Sequence, residues 1–180
     1  MSGSRSGPGA AGRGRGLVRR LASAVLAGVL ALVVLAPPAG AQGQGFEFGF
    51  PAGIACEFEL HVSGTGGNIN THEFTAPDGT LLALLFAGKG PTVTLTNVDT
   101  GKSLTLRPAG GAQRITFHQD ATSTVELIGH QLLFMFPSDV PPGPSSTLYV
   151  GRVVIHVDAD EVFTILQTSG RATDMCAALA

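Results

Sequence analysis

The sequence predicts an all-β protein: an antiparallel two-sheet β-sandwich of about eight to ten short strands, after an N-terminal signal helix. Three observations carry that expectation. Beyond residue 53, apolar and polar residues alternate with a period of two along run after run, which in a strand sends successive side chains to opposite faces. Turn chemistry built from Gly, Pro, Asn and Asp separates nearly all of these runs, at a spacing of roughly 8 to 12 residues. Two cysteines, Cys56 and Cys176, stand near the two ends of the same region.

The N-terminus has the layout of a secretory signal peptide. A polar, Gly/Arg-rich segment with Arg5, Arg13, Arg15, Arg19 and Arg20 precedes an uncharged apolar run of 16 residues, Leu21 to Ala36. That run is shorter than the ~20 residues a membrane-spanning helix needs. Pro37-Pro38 and the small-residue site Ala39-Gly40-Ala41 follow, so cleavage is expected between Ala41 and Gln42. Retention as a membrane anchor is the competing reading. Arg19-Arg20 matches the pair of a twin-arginine signal, but the residues that should follow the pair are absent.

Removal of residues 1–41 leaves 6 basic and 13 acidic residues, a net charge of −7. An acidic domain without a basic stripe argues against nucleic acid and anionic membrane surfaces as partners. In an oxidising compartment the cysteines form one disulfide closing a loop of about 120 residues, which stabilises the fold by on the order of 4 to 5 kcal/mol through the unfolded chain. A metal pair or a nucleophilic thiol would need partners at short spacing or a paired base, and neither is visible.

The remaining chain is expected to divide into a flexible Gly/Phe-rich lead-in, 42–53, and one β-sandwich domain, 54–180. Phe46, Phe48 and Phe50 alternate in the lead-in and are expected to dock on the domain. Ile54, Cys56, Phe58, Leu60 and Val62 alternate with Ala55, Glu57, Glu59 and His61, the cleanest strand signal in the chain. Leu81 to Phe86 is continuously apolar between turns, which fits a buried strand. Val93 and Leu95, with Leu104 and Leu106 after the Asp99-Thr100-Gly101 turn, form a hairpin. Ile115 and Phe117 belong to a further strand, as do Val125 and Leu127. Gly129-His130 interrupts, and Gln131 to Phe136 is again apolar throughout. The proline-rich stretch Pro137 to Ser146 is expected to cross from one sheet to the other.

Thr147 to Val157, the turn Asp158-Ala159-Asp160 and Glu161 to Gln167 read as a β-hairpin. Both parities of its first run are apolar, so that strand should be central and covered on both faces. Gly151 within it marks a bulge or a close backbone approach. Ser169 to Ala180 ends in a helical turn pinned by Cys176.

The stretches Ala55-Cys56-Glu57-Phe58, Ala87-Gly-Lys-Gly90, Phe136-Pro-Ser-Asp-Val-Pro141, Leu148-Tyr-Val-Gly-Arg-Val-Val154 and Asp174-Met-Cys-Ala-Ala-Leu179, among others, resemble a group of uncharacterised small secreted proteins of high-GC actinobacteria. That resemblance implies secretion and a β-rich domain.

Catalytic signatures are weak. Gly101-Lys102-Ser103 lacks the first glycine of a phosphate loop, Thr96 standing in its place, and lies in a hairpin. Asp158, Asp160 and Glu161 are a weak calcium candidate without the spacing of a calcium loop, and a solvated acidic turn is the simpler reading. The five histidines, His61, His72, His118, His130 and His156, share no short metal spacing. No other metal site is expected, and nothing calls for a cofactor. His130, with Asp139 or Asp120, is the one catalytic candidate worth naming, and it would make the protein an extracellular hydrolase. The favoured expectation is instead a secreted, non-catalytic binding or structural module, with a cell-wall glycan or a protein as partner. One Tyr and no Trp leave few rings for a sugar-binding face.

Overall fold

The computed structural model describes residues 45–180; the expected signal peptide 1–41 and the expected Ala41–Gln42 cleavage site lie outside the described residues. The described residues are all-β, with ten strands in two antiparallel sheets. In chain order the strands are β1 (Phe46–Phe50), β2 (Leu60–Thr65), β3 (Asn68–Thr75), β4 (Leu81–Lys89), β5 (Thr92–Asn97), β6 (Ser103–Leu106), β7 (Gly110–Phe117), β8 (Ser123–Met135), β9 (Ser145–Val157) and β10 (Phe163–Asp174). A single helical turn, α1 (Met175–Leu179), follows, with Asp174 accepting from the Ala177 amide as its N-cap. The smaller sheet has the order β1-β2-β5-β6 and the larger β10-β9-β8-β7-β4-β3.

Period-two patterning explains the smaller sheet. Leu60 and Val62 of β2 and Val93 and Leu95 of β5 are buried, while Thr94, Thr96, Ser103 and Thr105 line the wet face in hydroxyl pairs. The Phe46, Phe48 and Phe50 segment is not a loose lead-in. It is the edge strand β1, paired with β2, and its rings pack on the core, Phe50 against Phe134 and Phe136 at 5.0 and 5.8 Å. Gly64, opposite Phe46, is the slot for that ring: a Cβ there would lie 2.2 Å from Phe46 Cζ. Residues 52–58 form turns rather than the start of a strand, so the alternation becomes a ladder only from Leu60. Cys56 is nonetheless buried and bonded to Cys176, which ties α1 to the turns ahead of β2.

The larger sheet departs from a single flat layer. Five glycines stand directly opposite one another, one on each of five adjacent strands: Gly88, Gly111, Gly129, Gly151 and Gly170. The sheet folds over along this row. A carboxylate shows it most directly: Asp139 accepts from the Phe136 amide (2.6 Å) and from the Phe163 amide (3.1 Å). Phe136 follows Met135, which pairs with Ser145 at one end of β9, whereas Phe163 pairs with Val157 at the other end. Fully extended, those ends of β9 would lie about 40 Å apart. One carboxylate could not span them unless the strands bent. Backbone bonds between Val140 and both Phe163 and Ile165 complete the closure.

The fold-over creates two cores. Val125, Leu127, Val153 and Ile155, before the crease on β8 and beyond it on β9, share a cluster with Leu133, Met135 and Tyr149 from the other side, so this core lies inside the bend. Leu132, Phe134 and Leu148, of opposite parity, face outward from the same strands and meet the smaller sheet, α1 and the disulfide in the second core. The middle layer is therefore covered on both sides. That is why Gln131–Phe136 and the start of β9 are apolar on both parities, as the sequence led us to expect for β9.

Four other expectations need correcting. Gly129-His130 does not interrupt a strand, since β8 runs unbroken from Ser123 to Met135. The strands around it are long rather than short, with 13 residues each in β8 and β9. The proline-rich loop stays within one sheet, joining β8 to its neighbour β9. Leu81 and Leu82 are exposed, because β4 passes beyond the cover of the bend at that end.

Candidate functional site

The crease produces a cleft. β4 ends at Lys89 and β7 begins at Gly110, so both stop where the sheet bends, and only β8, β9 and β10 continue across it. Past Gly129, β8 has lost its β7 neighbour, and the space β7 would have filled stays open. It is a cleft of about 400 Å³, a size suited to small ligands. His130, Gln131 and Leu132 of β8, with Leu148 of β9, form one wall. Gly90, Pro91 and Val93 on the β4–β5 side, and Leu106 to Ala109 between β6 and β7, form the other, while Phe86 and Leu127 come from the inner core.

The lining is apolar apart from four side chains: Arg107, Gln113, His130 and Gln131. Gln131 is held in place, its Nε2 donating to the Ala112 and Ile128 carbonyls, both at 3.2 Å. It fills the space over Gly111, where a Cβ would lie 2.7 Å from that nitrogen. Arg107 is exposed at the mouth and has no hydrogen bond or ion pair among the described residues. Of the other basic side chains, Arg152 pairs with Glu126 and Gln167, Lys102 bonds the Ala180 carbonyl and Arg114 lies over the Phe74 ring, while Lys89 and Arg171 are exposed like Arg107 but do not line the cleft.

The catalytic candidates do not assemble. His130 lines the cleft, but Asp139 is occupied as the clamp described above and is 3% exposed. Asp120 belongs to the β7–β8 turn, ten residues before His130, and the strand from Ser123 to His130 alone spans roughly 23 Å. Its carboxylate accepts from the Thr122 hydroxyl (2.7 Å) and amide (3.1 Å), bonds that hold it below the usual carboxylate range. Among the described residues, no hydroxyl, thiol or carboxylate side chain lines the cleft. The remaining histidines are dispersed: His61 bonds Glu47 (2.8 Å), His118 bonds Thr124 (2.9 Å), and His72 and His156 lie on other strands.

In the acidic turn, one Asp158 oxygen accepts from the amides of Asp160 and Val162, both at 2.9 Å, so it shapes the turn itself. Among the described residues, no group of three His, Cys, Asp or Glu side chains is placed to hold a metal ion. No helix among them is long and apolar enough to cross a membrane.

The sequence reading missed Arg107, Gln131, Phe86, Leu132 and Leu148 as site residues. Arg107 was the one available signal, a lone cation beside Pro108 between two strands. No protein-family model, curated protein or solved structure matches the chain.

Proposed function

We propose that this is a secreted, non-catalytic binding module whose ligand site is the cleft beside the crease. The observation that carries the reading is the lining: an apolar, ligand-sized recess with a few fixed polar groups is the usual form of a small-molecule site, and here the only acid-base side chain is His130. A hydrolase built on His130 would need a nucleophile or a carboxylate beside the imidazole, and the lining supplies neither. Secretion follows from the signal-peptide layout of residues 1–41 and fits the disulfide, a bond that persists in oxidising compartments. Phe86 is the one Phe, Tyr or Trp ring among the described lining residues, which favours a compact apolar ligand over a cell-wall glycan.

The test is an NMR titration of the purified protein with a panel of small aliphatic and aromatic compounds. Binding should move the methyl resonances of Leu106, Leu132 and Leu148 together, in a saturable way. A panel that leaves those methyls still, or moves them no more than those of exposed Leu166, would sink the proposal. An N-terminus at Gln42 in culture supernatant is the expected sign of secretion, and a chain that keeps residues 1–41 on the cell would contradict it.

A further inference from the structure

We infer that the cleft takes an amphiphilic monocarboxylate, an acid with a compact alkyl or aryl body whose carboxylate is met by Arg107; this deepens the binding reading above and rests on it. The argument is one of charge and shape. The chain beyond residue 41 carries a net charge of −7, so an anion is repelled by most of the surface. At the cleft that sign is reversed. Arg107 sits on the lining with no acidic neighbour there and no partner among the described residues, while Phe86, Val93, Leu132 and Leu148 offer only apolar surface. A guanidinium presents a planar fork of donors that matches a carboxylate in two parallel bonds. A cationic ligand would find no counter-ion in the recess. A neutral one would leave the guanidinium without a partner and bind by apolar burial alone.

The tails can be held constant while the head group varies. Decanoate, decanol and decyltrimethylammonium are titrated into the purified protein below their micelle concentrations, with affinity read by calorimetry and location by the Leu132 and Leu148 methyls. Decanoate should bind about tenfold more tightly than decanol, the ratio expected of one charge-assisted contact at a partly open site. Arg107→Gln, at an exposed position outside both cores, should abolish that ratio and leave decanol affinity unchanged. Equal affinity for decanoate and decanol, or a preference for the cation, would overturn the carboxylate inference while the cleft remained a binding site. A ratio that survives in Arg107→Gln would overturn it as well. If none of the three compounds moves the Leu132 and Leu148 methyls, both the inference and the binding reading fall.

Discussion

Replacing Gly129 by alanine tests the crease at its centre. A Cβ built there would lie 2.5 Å from the Gly110 carbonyl oxygen and 3.0 Å from the Gly111 Cα, both backbone atoms of the neighbouring strand. The residue also has φ +89°, which an L side chain adopts only under strain. Such strain costs about 1 to 3 kcal/mol, and pushing a packed strand aside about as much again. Gly129→Ala should therefore destabilise the protein by roughly 2 to 6 kcal/mol, a large share of the 5 to 15 typical of a folded protein. Gly110→Ala is the control from the adjacent strand: a Cβ there has nothing within 4 Å, and φ is not positive. It should shift stability by no more than about 0.5 kcal/mol. Urea unfolding followed by circular dichroism measures both, with a shared slope showing that the change lies in stability. If the two variants unfold at the same midpoint, the row of glycines is not a steric requirement and the reasoning fails.

Asp139→Ala removes the acceptor shared by the Phe136 and Phe163 amides and should cost about 2 to 5 kcal/mol, with faster hydrogen exchange at Phe163 than at Ile115; unchanged exchange at Phe163 would show that the clamp is dispensable. Reduction of Cys56–Cys176, which closes a span of 120 residues, should lower stability by about 4 to 5 kcal/mol, and identical midpoints with and without reductant would contradict that. Tyr149 is the only tyrosine, so phenolate absorbance reads it alone. Burial pushes its phenol above 10.0, so its stabilising contribution is complete below about pH 10 and lost as pH rises through the raised value. Titration should therefore come later in the folded protein than in urea, and Tyr149→Phe should flatten the alkaline loss of stability; coincident titration curves would refute it.

What was legible in the sequence depended on range. Alternation within β5 and β6, and the apolar runs of β9 and β10, report local geometry, and they located those strands and the hairpins between them, whereas the alternation of Ile54–Val62 overlaps β2 only from Leu60. The disulfide was legible for a different reason: with two cysteines there is one pairing. The glycines failed differently. Read one at a time, Gly129 breaks a strand and Gly170 lies in a terminal segment, and nothing local marks Gly88 or Gly111. Only Gly151 was read as a close backbone approach, and a Cβ there would lie 2.1 Å from the Ser169 carbonyl oxygen. Their common role depends on the register between strands far apart in sequence, which no local window contains. Asp139 was misread for the same reason, because a buried carboxylate with two amide partners looks in sequence like any Asp in a loop.

The crease joins stability to the site. Because β4 and β7 end at the bend, the gap beside β8 exists only while β8, β9 and β10 turn at Gly129, Gly151 and Gly170. The same turn lays Leu133 and Met135 over Val125 and Leu127 and lets Asp139 fasten the loop after β8 to β10. A substitution in the glycine row should therefore disturb folding and the cleft together, since it displaces the walls His130 and Gln131 stand on. Arg107 lies outside both cores and beyond the row, so its removal changes what the cleft prefers and leaves the bend intact. Those two patterns separate a recess that is a by-product of folding from one whose surviving cation selects a ligand: the first requires only the glycines, and the second requires Arg107 as well.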